Sequence, residues 1–495
     1  MKTKKQWWLV IGIICINILI VGFSAAIAAE APPTVLPMEE LPEETAEITA
    51  LREKLEVYID EYMPIMIEMS DHLYNNPESG YFEFESSKYV TAELEKNGFE
   101  ITWGVEGLDE EYNSVIEKLF NARNLPTAFT AKYKGKSEYP VIAFTTEMDA
   151  LRGDPPFHGC AHNQQPPVAL GAAIAMSKIM DEYELPGSIW VIHLTAEEIP
   201  PPDPTAMFKA GYFDEVDFVL QTHGGVNSGV LKRPLAGTGG STLISANLYE
   251  FYGKTAHAAG DPWNGNDAGD AVRAMWSMID MLREHSEPGY RFHGALIETA
   301  QAPNVINPFV RFDHWVRASA PLTQADIDKK VEQVDTIAKA AAMGTFCDVE
   351  ISHYADYGYG CTTAWAQALG WYYTKMYSDE GMTSEELGRL APGWDVGQTV
   401  SWSIPGLGSE MGTATIAMAD VPPTAGHSQE KADLTTTPLG HRSLGLMAKR
   451  QGAVALRLVT QPELLENIKK ELADWREYGV EQGYVTEDMF RIKDK

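Results

Sequence analysis

Val141-Ile142-Ala143-Phe144-Thr145-Thr146-Glu147-Met148-Asp149, followed after a short loop by His158-Gly159-Cys160-Ala161-His162-Asn163, is the stretch whose reading decides the fold. An apolar, β-prone run gives way abruptly to carboxylates, a thiol and imidazoles. The pattern recurs downstream: Ile189 to Thr195 runs into Glu197 and Glu198, and Phe218 to Thr222 runs into His223. An Ala-rich helical stretch from about Val168 to Met180 separates the first two runs, and a second helix is expected before the third. Nearly continuous apolar runs alternating with helices predict parallel strands buried on both faces, a doubly wound α/β sheet. Functional groups in such sheets gather beyond the carboxyl ends of the strands. Three strand ends should therefore deliver metal-capable side chains to one edge.

Any one of these residues alone is weak evidence, because a lone histidine is usually a hydrogen-bonded core or surface residue and an adjacent Glu pair usually a solvated corner. Their coincidence carries the argument. Two carboxylates emerging from an apolar strand repel each other and resist desolvation, so a nearby cation is the natural way to keep them ionised. Cys160 and His162 stand two residues apart in a Gly-containing turn. Sulfur, nitrogen and carboxylate donors together suit Zn²⁺, with Mn²⁺ or Co²⁺ where oxygen dominates. Two other readings of Cys160 stay open: a structural cysteine bonded to Cys347 or Cys361, or a nucleophile activated by a nearby histidine. If a disulfide forms, Cys347 with Cys361 leaves Cys160 as the free thiol.

Outward from this centre, Lys2, Lys4 and Lys5 precede an uncharged stretch to Phe23 and the mostly small residues Ser24 to Ala29, a signal-peptide pattern with Ala26-Ile27-Ala28 as the cleavage site. An uncleaved membrane anchor is the alternative, since Trp7 to Phe23 nearly reaches spanning length. Either way an exported protein is expected, secreted or held in the periplasm or at the cell surface, in contact with a membrane only if the segment stays. Residues 30–45, rich in Pro and Glu, read as a spacer. Asp and Glu number 70 against 39 Lys and Arg in 495 residues, a net charge of −31 that would repel a phosphate backbone. Nucleic acid is not an expected partner.

Ser241 to Tyr252 alternates as a strand, Gly269 to Leu282 reads as a helix, Phe309 to Ala318 as a strand and Gln324 to Ala342 as a second helix. With two antiparallel strands packing nearby, this is an α+β unit of ferredoxin-like type. The expected boundaries are 46–240 for the first α/β part, 241–353 for this α+β unit and 354–495 for the remainder, where His427 follows an apolar strand Thr415 to Met418.

The segment Thr146 to Asn163, Ala196-Glu197-Glu198, Thr222-His223-Gly224, Gly253-Lys254-Thr255-Ala256-His257-Ala258, Asn304-Val305-Ile306 to Arg317, and Gly426-His427-Ser428 occur in an order that resembles the two-metal amidohydrolases and metallo-exopeptidases. That family includes aminoacylases and the hippurate, auxin-conjugate and aminobenzoyl-glutamate hydrolases, and the resemblance runs from about residue 46 to 460. It implies that Cys160, His162, Glu198, His223 and His427 hold two divalent ions, Zn or Mn with Co as a further option. Glu197 would be the general base, and Asp149 an acid orienting His162, with a turn cap as its bland alternative. The resemblance also implies that the α+β unit over 241–353 is inserted into one catalytic domain made of 46–240 and 354–495, as a lid that forms a homodimer. From it His257 would reach the partner's active site to stabilise an oxyanion, while Asn304 and Arg317 would bind substrate. Arg317 suits a carboxylate held bidentately, or else forms an exposed ion pair at a strand end. The implied activity is hydrolysis of the amide bond of an N-acyl amino acid, an aminobenzoyl-glutamate-like compound or a small dipeptide. A metal or peptide-binding module without turnover is the rival outside enzymes, and intact Glu197 argues against it. The chain departs from the family pattern at Ala161, where a Gly is usual, at Gln164-Gln165-Pro166-Pro167, and at Ile199-Pro200-Pro201-Pro202-Asp203-Pro204, all of which bear on substrate choice more than on chemistry.

Overall fold

The computed structural model describes residues 31–199, 204–224, 236–238, 242–299, 302–391, 400–411 and 427–489. The export segment, Pro200 to Asp203, the strand expected at Thr415 to Met418, and Gly426 lie outside the described residues. No helix among the described residues is long and apolar enough to cross a membrane.

The first five strands are β1 (Glu100–Trp103), β2 (Phe129–Lys134), β3 (Val141–Thr146), β4 (Ser188–His193) and β5 (Phe218–Gly224). A short β6 (Gly237–Thr238) precedes the inserted unit, which contributes β7 (Leu243–Tyr252), β8 (Tyr290–Thr299), β9 (Phe309–Ala318) and β10 (Asp348–Tyr357). The chain returns through β11 (Cys361–Thr362), β12 (Arg389–Ala391) and β13 (Gly406–Met411). Seven strands form the larger sheet in the order β1-β2-β4-β3-β5-β13-β12. Its central four, β4, β3, β5 and β13, are parallel. The flanking pairings β1–β2, β2–β4 and β12–β13 are antiparallel, so β2 and β12 run against the central strands and β1 runs with them.

The apolar runs are continuous because each strand feeds two cores. Ile142, Phe144, Ile189, Val191, Phe218 and Leu220 face one cluster with Met66, Leu170 and Leu444, whereas Val141, Ala143, Trp190, Ile192 and Val219 face another with Ile116, Met207 and Phe213. Alternate residues thus point to opposite faces, and neither face can be polar. The Ala-rich helix begins earlier than its apolar pattern, at Gln165, and ends at Tyr183. Pro166 and Pro167 sit in its first turn, where the missing N–H groups would have no intrahelical partner. The unusual Gln-Gln-Pro-Pro run is therefore a helix start.

The inserted unit runs β7, helix Ala268–Glu284, β8, β9, helix Gln324–Thr345, β10. Its antiparallel sheet has the order β10-β7-β9-β8, with one face covered by a core built from Leu243, Phe251, Met275, Phe312 and Val334. This is the βαββαβ arrangement of a ferredoxin-like unit. Its last strand continues to Tyr357, past the expected return at Tyr354, because β10 pairs with β7 through Tyr357 opposite Ile244. The cysteine pairing is corrected as well: Cys160, Cys347 and Cys361 are all free and buried. Cys347 packs into the core of the inserted unit and Cys361 into a separate cluster with Trp402 and Trp475.

Candidate metal centre

Parallel pairing places the ends of β3, β4 and β5 side by side, with Thr146 opposite His193 and Thr145 opposite Gln221. Glu147 and Asp149 leave β3, Glu197 and Glu198 follow β4, and His223 is the penultimate residue of β5. The loop from His158 returns Cys160 and His162 to the same edge.

Cys160 Sγ lies 3.3 Å from His223 Nε2. His162 Nε2 is 3.2 Å from Glu147 Oε2 and 3.8 Å from both Glu197 Oε2 and Glu198 Oε1, and His427 Nε2 is 3.7 Å from Glu198 Oε2. Three overlapping groups, Cys160 with His162 and His223, Cys160 with Glu198 and His427, and Glu147 with His162 and Glu197, each place their donor atoms within 4.8 Å of one another. His162 Nε2 and Glu198 Oε1 are buried without a hydrogen-bond partner. Buried polar atoms are rarely left unsatisfied, and two such orphans facing one cluster of soft and hard donors fit divalent cations. The edge thus brings all five expected ligands together.

Two of these donors, His162 and Glu198, are held by a residue behind them. His162 Nδ1 faces the carbonyl and Oδ1 of Asp149, both at 3.0 Å. Both are acceptors, so Nδ1 carries the proton and Nε2 presents its lone pair to a metal. Burial lowers the pKa of His162, favouring this neutral form. Asp149 Oδ2 also accepts the backbone N–H of Glu198 at 2.8 Å, so a single buried carboxylate orients two donors. That contact is more specific than a turn cap. His158, by contrast, is a core residue: its Nε2 meets the carbonyl of Leu73 at 3.1 Å and burial depresses its pKa to about 3.

The Cys160 thiol is pushed well above its ordinary value, first by burial and then by the charge of Glu198. A cysteine nucleophile needs the opposite shift. Lys431 is a site residue that the sequence did not single out: it is buried, with Nζ 3.9 Å from Cys160 Sγ. Glu147, recognised only as a strand-end carboxylate, is also part of the centre. It is fully buried and accepts from Gln165 Nε2 at 2.6 Å and Gln221 Nε2 at 2.7 Å, which gives the second unusual Gln a place beside the site.

Three non-glycine residues at this edge have left-handed backbones: Ala161 at φ 65°, Ala196 at 58° and His427 at 58°. Each adjoins or is a proposed ligand or base, and such strain persists only where surrounding contacts enforce it. The family's usual Gly at position 161 is explained by this conformation. Ala161 fits because Gly224, opposite, has no side chain; a methyl there would collide with Ala161 Cβ and come within 2.9 Å of the Cys160 carbonyl. Ala161→Gly is expected to stabilise the metal-free protein by about 1 kcal/mol through relief of left-handed strain. Urea unfolding in the presence of a chelator measures it, and a loss of stability would show that the loop carries no such strain.

The lid residues occupy a different setting. His257 is exposed, and its Nδ1 accepts the backbone N–H groups of Ala259 and Gly260 at 3.1 and 3.0 Å. When the ring is neutral, its proton is therefore on Nε2, where it can be donated outward. Asn304 lies beside it, its carbonyl accepting the N–H of Ala258 at 3.0 Å. Arg317 forms no ion pair among the described residues. Its guanidinium lies 5.3 Å from the Trp315 ring, its Nε is buried without a partner, and it is near enough to Glu197 to feel that charge. An exposed strand-end ion pair is thus replaced by a half-buried cation within electrostatic reach of Glu197.

No family model matches the chain. It is 30% identical over 303 residues to one of the component chains of the p-aminobenzoyl-glutamate hydrolase of Escherichia coli, across 57% of this chain and 56% of that protein. The chain thus spans little more than half the length of that relative. It is 25% identical over 450 residues to Xaa-Arg dipeptidase of Mus musculus, across 89% of this chain and 96% of the other. The crystal structure of an aminobenzoyl-glutamate utilization protein from Klebsiella pneumoniae shares the fold, with TM-score 0.53 and 18% identity, covering 82% of this chain and 99% of that one. These likenesses match the two-metal amidohydrolases and metallo-exopeptidases that the motifs of the chain resemble.

Proposed function

We propose that the protein is a metal-dependent hydrolase of the amide bond in N-acyl amino acids, aminobenzoyl-glutamate-like compounds or small dipeptides. The observation that carries this reading is the pair of orphaned buried donors, His162 Nε2 and Glu198 Oε1, beside a carboxylate that is not buried with them. The Glu197 side chain is 29% accessible against 6% for Glu198. Glu198 is placed to ligate and Glu197 to meet substrate and water. Cys160, His162, Glu198, His223 and His427 would hold two divalent ions, Zn²⁺ by the thiolate and imidazole donors, with Mn²⁺ or Co²⁺ admitted by the carboxylates. Bound there, such ions supply Lewis acidity to the scissile carbonyl and acidify the attacking water. Glu197 accepts the proton of that water and returns it to the leaving nitrogen. Arg317, without an ion-pair partner among the described residues and within electrostatic reach of Glu197, anchors a substrate carboxylate, and Asn304 lines the approach beside His257.

The raised Cys160 thiol and the similarity to amide hydrolases weigh against a thiol nucleophile and against a module without turnover. Chelation should abolish hydrolysis of N-acyl amino acids, aminobenzoyl-glutamate or dipeptides, and Zn²⁺ or Mn²⁺ should restore it. Activity that survives metal removal would sink the reading.

The protein is also proposed to be exported, with 1–29 as a cleaved signal. A chain beginning at Glu30 is expected to be soluble and as active as the full chain, because it keeps residues 31–45, which are not the expected spacer but pack on the body: Leu36 and Leu41 are buried, and the carbonyls of Pro42 and Glu43 accept from Arg457 and Gln461. Mature protein that retains Trp7 and Trp8 and stays with membranes through a high-salt wash would make the segment an anchor.

A further inference from the structure

The turn that carries Glu197 and Glu198 is gripped from behind by a second carboxylate that the reaction does not use. Glu83 is fully buried, 112 residues from its nearest partner on that turn. Its Oε1 accepts from Thr195 Oγ1 at 2.5 Å and from the backbone N–H of Ala196 at 3.0 Å, while Oε2 accepts from Thr127 Oγ1 at 2.8 Å. Thr127 Oγ1 and Thr195 Oγ1 lie 2.8 Å apart, so either hydroxyl could donate to the other in place of Glu83. None of these partners is a cation. Two buried carboxylates thus hold alternate N–H groups of one turn, Glu83 that of Ala196 and Asp149 that of Glu198.

Ala196 needs such a hold. Its backbone is left-handed at φ 58°, a conformation an alanine adopts only under constraint. Glu83 reaches it from a strap, residues 78–83, laid across both strand ends. Ser79 bridges to Ala150, and the N–H of Ala150 donates to the carbonyl of Glu78 at 2.7 Å. Gly80 passes so close to the turn that a methyl would sit 2.6 Å from Ala196 Cα and 3.3 Å from Asp149 Oδ2. A buried carboxylate is costly to keep, and a core that needed only packing would place an apolar side chain there.

We infer that Glu83 is a positioning residue for the reaction: by accepting the Ala196 N–H and the Thr195 hydroxyl it fixes the strained turn that aims Glu197 at the substrate side and Glu198 at the metals. The inference rests on the proposed function for its kinetic part and on the proposed ligand set for its metal part. Glu83→Ala and Glu83→Asp, the latter one methylene too short to reach the turn, are expected to bind Zn²⁺ about tenfold or more weakly in a chelator competition. At saturating metal they should lose about tenfold or more in kcat with KM shifted no more than about threefold. Glu83→Gln should recover both, because its carbonyl can take the two hydrogen bonds of Oε1 while its NH₂ donates to Thr127 Oγ1. Rescue by Gln separates hydrogen-bond placement from a general need for bulk. If Glu83→Ala unfolds, Glu83→Asp carries the test. Folded Ala or Asp variants with unchanged metal affinity and kcat, altered only in Tm, would overturn the inference, as would a Gln variant as defective as Ala. Should the wild type hydrolyse no amide, the proposed function fails, and the Zn²⁺ titration still decides whether Glu83 shapes the centre.

Discussion

Glu197→Gln is expected to keep its metal and lose on the order of a hundredfold or more in turnover, about 2.7 kcal/mol of transition-state stabilisation. The two neighbouring carboxylates should separate cleanly because their surroundings differ. Glu198 is almost wholly buried, its backbone tied to Asp149 Oδ2 and one side-chain oxygen orphaned within reach of His162. Glu197 is partly open and lies within electrostatic reach of Arg317. An amide at position 197 preserves shape and hydrogen bonding yet cannot take a proton from water near neutral pH. Glu198→Ala, by contrast, should lose metal as well as activity. The assay pairs metal analysis of each purified variant with single-substrate kinetics. A fully metal-loaded Glu197→Gln protein that turns over normally would remove Glu197 as the base.

The difference between what the sequence shows and what it hides follows from the range of each interaction. The central strands were legible because Val141 to Thr146, Ser188 to His193 and Phe218 to Gly224 must satisfy two cores at once, which leaves no room for polar residues until the strand ends. The cluster of metal-capable side chains at the ends of β3, β4 and β5 was legible because polar residues begin where the apolar runs stop, whereas the choice of ligands among them came from the family resemblance. Strand β8 was not, because it lies at a sheet edge, and its second half, Gly294 to Thr299, is largely exposed. Only Tyr290 and Phe292 reach the core, so its alternation is too short to read. Glu83 and Lys431 were hidden for another reason. Each is one polar residue in an ordinary helical or turn context, and each acquires meaning only from partners 112 and 271 residues away. No periodicity records such a contact. The Gln164-Gln165 pair stood out as an oddity but gave no direction, since the hydrogen bonds of Gln164 to the carbonyls of Thr435 and Gly440 and of Gln165 to Glu147 depend on the packed fold.

Mixing two inactive variants, His257→Ala and Glu197→Ala, is expected to restore hydrolysis at about a quarter of all sites, by the symmetry of an isologous pair. The expectation rests on the proposal that the lid forms a two-fold dimer and that His257 completes the partner's site. In its own chain the His257 ring hydrogen-bonds its own loop, through the N–H groups of Ala259 and Gly260, and stands exposed with Nε2 available to donate. A histidine so oriented is suited to an oxyanion brought to it from outside its loop. In a mixed dimer, the subunit with mutant His257 keeps its own Glu197 and receives an intact His257 from its neighbour. The other site carries both defects. Random exchange of equal amounts makes about half of the dimers mixed, hence the quarter. If His257 instead serves its own subunit, every site in every dimer retains one defect and mixing restores nothing. Subunit exchange is verified by pull-down of differently tagged chains before the assay. Exchange without recovered hydrolysis would reject the shared site while leaving Glu197 and the metal ligands untouched, whereas recovery that scales with the mixed-dimer fraction would require a donor from the partner.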